Sequence, residues 1–231
     1  MVGREHQLLR AVNFILDLSM EESNGILFIW APPGIGKTRL VIEMERSIPG
    51  RDFIFIEGSN TAGLAPFTEY LEKWFDQNPA ASPEQNLDAF GSIWEGLILT
   101  LSIGLPGECR VLRREMENIR PYIEYTLGLN FDKESIAFRL EPAQRAEKIS
   151  HALMTFFDVL ALQDPSVIVL ENVQWFSRED LLTAKRIIES TAGAGRAFIV
   201  TGRPDGDGNN PYFPDVASYV RIDTLPLDGL P

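Results

Sequence analysis

The chain has 231 residues, of which 45 % are apolar and 23 % charged, as is usual for a folded globular domain. A formal net charge of −12 argues against a surface that follows nucleic-acid phosphates or anionic lipid. A single cysteine, Cys109, excludes an internal disulfide framework, and with only His6 and His151 beside it the sequence offers no zinc-ligand spacing. No segment has the pattern of a signal peptide or a membrane span. We therefore expect a cytoplasmic protein with neither nucleic acid nor membrane as a direct partner.

The first sixty residues alternate between helical and strand patterns. A helix is predicted over residues 4–18, a strand over 26–30, a helix from Lys37 to about Pro49 and a second strand over 53–56. Both strands are continuous apolar runs, which are typical of strands covered on both faces. Because no hairpin turn separates them, we expect a parallel pair joined by a right-handed crossover.

The middle of the chain follows a different pattern. Apolar residues recur there at helical spacing, with charged residues between them, and core packing explains these stripes without any chemistry. Helices are predicted over residues 68–76, 86–101, 108–128 (broken at Pro121) and 142–162. We therefore expect a helical insertion over about residues 68–162.

After this insertion the alternating pattern returns. Strands are predicted over residues 167–170 and 197–201, a helix over 178–191 and a fifth strand over 218–222. Apolar, β-branched strands that alternate with helices indicate a parallel sheet covered by helices on both faces. The sequence therefore predicts a three-layer α/β sandwich with a five-stranded parallel sheet.

The clearest functional motif is Ala-Pro-Pro-Gly-Ile-Gly-Lys-Thr at residues 31–38, between the first strand and the next helix. Its glycines and prolines let the backbone curl into an anion-binding nest, to which the positive end of the helix contributes. Lys37 is expected to reach the β- and γ-phosphates of a nucleotide, and the Thr38 hydroxyl to bind Mg²⁺. A phosphate-binding loop (P-loop) is therefore predicted, with Ala31 in place of the usual first glycine. Its candidate nucleotide-binding residues are Pro33, Gly34, Ile35, Gly36, Lys37 and Thr38.

A second motif follows the predicted strand at residues 167–170. Glu171 comes directly after it, in the position of a Walker B acid that holds Mg²⁺ beside a P-loop. Asn172 stands where a second acid would orient the attacking water, and an amide cannot accept a proton as a general base. We therefore expect slow hydrolysis, with Glu171 and Asn172 in the catalytic site and Thr38 and Glu171 as metal ligands. The alternative is a strand that simply ends in a solvated glutamate.

Arg203 is a third candidate, just after the predicted strand at residues 197–201. If this strand lies next to the one before Glu171, the guanidinium faces the γ-phosphate and senses it through a charge-assisted hydrogen bond. On spacing alone, a surface arginine in a turn is an equal alternative.

Taken together, several stretches resemble the nucleotide-binding domain of STAND signalling ATPases, a branch of the AAA+ class. The resemblance is to bacterial regulators in which this domain adjoins a cyclase domain or a helix-turn-helix output. The matching stretches are residues 2–5 (Val-Gly-Arg-Glu), 31–40, 64–67 (Leu-Ala-Pro-Phe), 170–175 (Leu-Glu-Asn-Val-Gln-Trp), 201–204 and 225–230. They span the chain in the order of the family.

The resemblance implies further nucleotide contacts and a strand order. Val2, Gly3 and Arg4 are expected to lie near the adenine, and Arg39 extends the nucleotide-binding set of the P-loop. The expected sheet order is 5-1-4-3-2, with Arg203 at the sensor position.

Two departures from the family bear on catalysis. Asn172 is usually acidic in the family, and Ser177 stands where an aspartate often follows, which argues against rapid turnover but not against binding. The resemblance also implies that residues 1–231 are one domain of a longer protein, without its lid, winged-helix and output domains. The expected partners are a nucleotide and those other domains, with homo-oligomerisation as a candidate accompaniment of activation.

The predicted function is a nucleotide-dependent switch that binds ATP or ADP with Mg²⁺ and is at most a weak ATPase. One alternative is a P-loop kinase of a small molecule, which would need an arginine-rich lid where this chain offers only Arg203. The other is a scaffold that has lost its ligand, against which the intact Lys37 and Thr38 argue.

Overall fold

A computed structural model describes residues 3–20, 23–59, 61, 63–104, 109–129, 135–163, 166–190, 195–203 and 212–227. The helices and strands within this part of the chain follow in sequence order. They are α1 (Glu5–Met20), β1 (Gly25–Trp30), α2 (Lys37–Ser47), β2 (Phe53–Glu57), α3 (Ala65–Trp74), α4 (Pro83–Gly104), α5 (Cys109–Thr126), α6 (Ile136–Arg139), α7 (Pro142–Gln163), β3 (Val167–Glu171), a 3₁₀ turn (Val173–Trp175), α8 (Arg178–Ser190), β4 (Ala197–Gly202) and β5 (Arg221–Pro226).

The chain divides into two compact units. The sheet unit comprises Met1–Pro66 and Asp164–Pro231, and the helical unit comprises Phe67–Gln163. The motifs at residues 31–38, 171–172 and 203 all belong to the sheet unit.

The five strands form one parallel sheet in the order β2-β3-β4-β1-β5, which confirms the predicted order 5-1-4-3-2. Trp30 of β1 lies opposite Gly202 of β4, and Leu170 of β3 lies opposite Val200. Because parallel strands run in the same direction, β1, β3 and β4 end at one edge of the sheet. The segments that follow these three strands therefore begin next to one another.

The core of the sheet unit explains why the central strands are apolar throughout. Every residue of β1, β3 and β4 is buried, as expected for strands covered on both faces. Alternate strand residues such as Leu27, Val169 and Ile199 pack in one cluster with the buried faces of α1 and α2. The strand residues between these positions face the other side of the sheet, because successive side chains of a strand point to opposite faces.

The fifth strand lies a few residues later than predicted. It spans Arg221–Pro226 rather than 218–222, because it pairs with β1, where Gly25 lies opposite Arg221. As an edge strand it is largely exposed and contains polar residues such as Asp223 and Thr224, so its sequence lacks a strand-like pattern. The apolar residues just before it suggested the earlier start.

The helical unit is packed around six aromatic side chains, each at most 1 % exposed. They are Phe67, Phe75, Phe90, Trp94, Phe156 and Phe157. The ring centroids of Phe75 and Phe90 are 4.6 Å apart, and the Arg120 guanidinium lies 5.5 Å from the Phe90 ring. Among the described residues, no helix combines the length and the apolar composition required to cross a bilayer.

Pro121 does not interrupt α5, contrary to the sequence prediction. The helix runs from Cys109 to Thr126 with the proline inside it. A proline removes one backbone donor and crowds the preceding turn, but Met116, Ile119 and Ile123 are buried on both sides of it. This continuous buried stripe maintains the helix, since tertiary packing supplies most helical stability. The short helix α6 and the 3₁₀ turn were not predicted.

We expect Gly58→Ala to destabilise the sheet unit. The Gly58 N–H donates to the Glu171 carbonyl at 2.8 Å, and a Cβ on Gly58 would lie 2.5 Å from the Asn172 carbonyl oxygen. The backbone at this edge must then shift, so the free energy of unfolding in urea should fall by about 1–3 kcal/mol.

Gly91→Ala in α4 is the matched control, because a Cβ on Gly91 meets no atom within 4 Å. Alanine there should leave stability unchanged or raise it by about 0.5–1 kcal/mol. Equal unfolding midpoints for Gly58→Ala and the parent chain would contradict the close approach of Gly58 to the Asn172 carbonyl oxygen.

Candidate functional site

A cleft of about 360 Å³ lies where β1, β3 and β4 end, and all its lining residues belong to the sheet unit. The loop after β1, the turn after β3 and the residue after β4 each contribute to it. The lining residues are Pro33, Gly34, Gly36, Lys37, Thr38, Asn172, Gln174, Trp175 and Arg203. The structure thus brings together residues from all three sequence motifs. The crevice at the carboxyl ends of parallel strands is the usual place for a ligand in an open α/β sheet.

The loop between β1 and α2 requires glycine at two positions. Gly34 and Gly36 have φ values of 79° and 97°, in the left-handed region that other residues seldom adopt. Gly36 immediately precedes α2, whose first N–H groups have no partner within the helix. Such a turn and a helix N-terminus together favour a bound anion.

Lys37 lies in the first turn of α2 and directs its ammonium back over the loop. Its Nζ donates to the carbonyls of Ala31 at 2.8 Å and Pro32 at 3.2 Å. Burial and the nearby Arg203 guanidinium lower the pKa of Lys37, whereas Glu171 opposes this effect. Lys37 and Arg203 therefore repel each other across the cleft, and an anion bound between them would relieve that repulsion.

Thr38, which lines the cleft, contacts Glu171 at the end of β3. The Thr38 hydroxyl donates to Oε1 of Glu171, whose side chain is almost fully buried at the end of β3. A hydroxyl beside a carboxylate is an oxygen donor pair of the kind that Mg²⁺ prefers. In the described part of the chain, no group of three or more His, Cys, Asp or Glu residues is placed to hold a metal ion. The Thr38–Glu171 pair fits a Mg²⁺ ion that would take its remaining ligands from phosphate oxygens and water.

Asn172 adopts a left-handed conformation directly after Glu171, with φ 56° and ψ 44°. Its N–H donates to Oγ1 of the fully buried Thr201 at 3.1 Å, which joins the ends of β3 and β4. Its Oδ1 accepts from Nε2 of Gln174 at 3.5 Å. Asparagine tolerates this backbone conformation better than most residues, so position 172 has a structural requirement besides any chemical one.

Arg203 follows β4 and lines the cleft opposite Lys37. Its guanidinium carbon lies 5.9 Å from the ring centroid of Trp175, a distance suited to a cation–π contact. Trp175 is 44 % exposed, so its ring presents an apolar surface at the rim of the cleft. The Arg203 guanidinium lies against this surface.

The N-terminal segment contacts the loop through Arg4. This side chain is buried, and its guanidinium donates to the Ile35 carbonyl at 3.1 Å. The Gly3 N–H donates to Oε1 of Glu5 at 3.2 Å, and Val2 lies outside the described residues. Arg4 thus supports the loop through its hydrogen bond to the backbone of Ile35.

Of the described residues that the sequence assigned to the site, five do not line the cleft: Gly3, Arg4, Ile35, Arg39 and Glu171. The Ile35 side chain packs against the hydrophobic core, and its loop position contributes the carbonyl that Arg4 binds. Arg39 forms an exposed ion pair with Glu43 at 2.7 Å, one turn further along α2. Successive helical residues are rotated by about 100°, so with Thr38 turned towards Glu171 the next side chain points to solvent.

Gln174 and Trp175 also line the cleft, although the sequence motifs assigned them no role. The 3₁₀ turn after β3 brings them back to the edge of the sheet, where the Trp175 N–H donates to the Asn172 carbonyl at 2.9 Å. Both residues lie within four positions of Glu171, and this closeness was the sequence signal that could have indicated a role in the site. The 3₁₀ turn that directs them into the cleft could not be predicted from the sequence.

A parallel sheet of this order, with a glycine loop and a lysine after β1, defines a P-loop domain of the α/β class. A family model described as AAA ATPase domain matches residues 1–200, and the chain therefore belongs to the AAA ATPase domain family. Proteins of this family generally bind ATP or ADP with Mg²⁺. A comparison with curated proteins found no match.

We expect Asn172→Ala to be less stable than Asn172→Gly, because only glycine adopts φ 56° without a steric cost. Both changes remove the same side-chain contact to Gln174, so their difference reports the backbone alone. The difference in the free energy of unfolding, measured in urea, should be about 1 kcal/mol.

Asn118, exposed in the middle of α5, provides the matched control. There the order should reverse, with alanine more stable than glycine by about 0.8–1 kcal/mol. If alanine is also the more stable substitution at position 172, the left-handed assignment is wrong.

Proposed function

We propose that this chain is the nucleotide-binding domain of a STAND-type signalling ATPase, a conformational switch that binds ATP or ADP with Mg²⁺ and hydrolyses ATP slowly. The observation that supports it best is the convergence of Lys37, the Thr38–Glu171 pair and Arg203 on one cleft. Each supplies a different element of nucleotide recognition. The stretches that resemble the STAND class support the finer assignment within the AAA ATPase domain family.

In this proposal the loop and Lys37 hold the phosphates. The N–H groups at the start of α2 and the Lys37 ammonium bind the β- and γ-phosphate oxygens, and Arg4 keeps the loop in place through Ile35. Thr38 and Glu171 hold Mg²⁺, which neutralises charge on the phosphates when bound. Gly3 and Arg4 lie on the adenine side.

Arg203 makes the cleft sensitive to the state of the nucleotide. It reaches the γ-phosphate from the end of β4, so ATP gains a charge-assisted hydrogen bond that ADP lacks. A ligand shifts a conformational equilibrium only by its difference in affinity for the two states. A contact restricted to ATP, made by Arg203 where it lies against Trp175, provides such a difference. The switch then acts on neighbouring domains or on copies of the same chain.

Slow turnover follows from the residue after the Walker B acid. Asn172 presents an amide rather than a carboxylate, so it does not accept a proton at neutral pH. A slow hydrolysis step prolongs the ATP-bound state, as a switch requires.

We expect Lys37→Ala to abolish stabilisation by Mg-ATP, because it removes the ammonium that lies over the loop. In the parent chain, nucleotide at about 100 times its Kd stabilises by about 2.7 kcal/mol. For 231 residues this raises the melting temperature by about 5–11 °C, which a thermal scan in millimolar nucleotide detects.

Lys73→Ala is the matched control, since Lys73 is an exposed lysine in α3 outside the cleft, and its shift should equal that of the parent. No shift in the parent chain would favour a scaffold that has lost its ligand. Transfer of the γ-phosphate to a small hydroxyl compound would instead favour a kinase.

We expect Arg203→Gln to reduce the preference for ATP over ADP. Loss of one charge-assisted hydrogen bond should weaken a slowly hydrolysed ATP analogue by about 10- to 100-fold. The Kd for ADP should stay within about twofold, because Arg203 contacts only the γ-phosphate in the proposal; titration calorimetry measures both constants.

Arg178→Gln at the exposed start of α8 provides the control for removal of a surface arginine. Parallel losses of ATP and ADP affinity in Arg203→Gln would contradict the sensor role. Arg203 would then contribute only general attraction for anions.

A further inference from the structure

Gln174 carries a buried polar atom that its surroundings do not satisfy. Its Oε1 is buried and accepts no hydrogen bond from the described residues. A buried carbonyl oxygen without a donor is costly, and most such oxygens in folded proteins are paired with protein or with ordered water. Gln174 lines the cleft, so a rotation of its side chain would present this oxygen to a donor there.

The other end of the same amide is already engaged. Nε2 of Gln174 donates to Oδ1 of Asn172 at 3.5 Å. Asn172 is itself held by its backbone bond to Thr201, and the 3₁₀ turn closes through the Trp175 N–H and the Asn172 carbonyl. This contact places Nε2 towards Asn172 and leaves Oε1 as the end of the amide that can accept a hydrogen bond.

The position of Gln174 in the cleft favours one donor. Lys37 and Arg203, which line the same cleft, are the side chains assigned to the γ-phosphate. Both are cationic, and they attract the phosphate oxygens rather than the amide. A water molecule beside the γ-phosphate has the two donors needed to bind an amide oxygen and a phosphate oxygen together.

We propose that Gln174 Oε1 accepts a hydrogen bond from the water that attacks the γ-phosphate, and so positions this water for hydrolysis. The inference depends on the proposed nucleotide-binding function. It assigns to Gln174 the orienting role that the acid expected at position 172 would have performed.

The step itself is a simple hydrolysis. A bond forms between the water oxygen and the γ-phosphorus, and the bond from that phosphorus to the β,γ-bridging oxygen breaks. The bridging oxygen keeps the electron pair and leaves on ADP, while the proton of the water passes to a phosphate oxygen. Gln174 orients the water but takes no proton, since a neutral amide oxygen is too weak a base, and turnover is correspondingly slow.

The test compares Gln174→Ala with Gln144→Ala, which removes an exposed glutamine in α7. In single-turnover assays at saturating Mg-ATP, Gln174→Ala should lower the hydrolysis rate constant by about tenfold or more. Its Kd for a slowly hydrolysed ATP analogue should stay within about twofold of the parent, and Gln144→Ala should match the parent in both measurements. Gln174→Met, of similar volume, replaces Gln174→Ala if the alanine variant folds poorly.

A second readout does not depend on turnover. ADP with tetrafluoroaluminate and Mg²⁺ mimics the in-line arrangement of the attacking water. Gln174→Ala should lose at least about tenfold in affinity for this complex while its affinity for ADP alone is unchanged. A merely structural role would weaken both ligands equally.

Each contrary result has a distinct meaning. Parental hydrolysis by Gln174→Ala, or equal losses for ADP and its tetrafluoroaluminate complex, would overturn the role of Gln174. Nucleotide binding without measurable hydrolysis in the parent would also overturn it, and would leave the nucleotide-binding proposal intact. Failure of the parent to bind nucleotide at all would reject both.

Discussion

The alignment of three parallel strand ends is the constraint on which the cleft depends. In the order β2-β3-β4-β1-β5, strand β4 lies between β1 and β3, so the residues that follow these strands meet at one edge. The Thr38–Glu171 hydrogen bond and the Asn172–Thr201 hydrogen bond both join segments that are more than twenty residues apart in sequence. Neither would form if one strand slipped by a residue, because every side chain would then face the opposite side of the sheet.

Electrostatics give this edge a character unlike that of the chain as a whole. The chain has a net charge of −12, yet Lys37 and Arg203 lie close enough for Arg203 to lower the pKa of Lys37. Two cations beside a nest of N–H groups form a local site for a polyanion within an acidic protein. The negative charge of Glu171 partly compensates these two cations, and the Thr38 hydroxyl donates a hydrogen bond to its carboxylate. Within an acidic chain, this local cationic site suits a compact, metal-neutralised phosphate of the kind that the proposed function requires.

The turn after β3 combines a backbone requirement with a chemical one. Asn172 occupies a left-handed conformation and bonds to Thr201 through its N–H, while its side chain engages Gln174. The residue in the place of a second acid is therefore part of the structural connection between β3 and β4. An amide at position 172 lowers the expected rate of hydrolysis, but it is compatible with the turn that directs Gln174 and Trp175 into the cleft. This short segment connects β3 to β4, and the proposals assign to it the positioning of water and the support of Arg203.

Local pattern by itself determined the element types and the principal loop. Buried strands, helical stripes and the run at residues 31–38 are local patterns, so the element types and most helix positions could be predicted from them. The sheet order was predicted from the resemblance to the STAND class, not from local pattern. Tertiary structure decided the rest. It placed β5 by its pairing with β1, kept α5 continuous through Pro121, turned Arg39 towards Glu43 and brought Gln174 into the cleft. These outcomes depend on hydrogen bonds and burial between residues distant in sequence, which no local periodicity records.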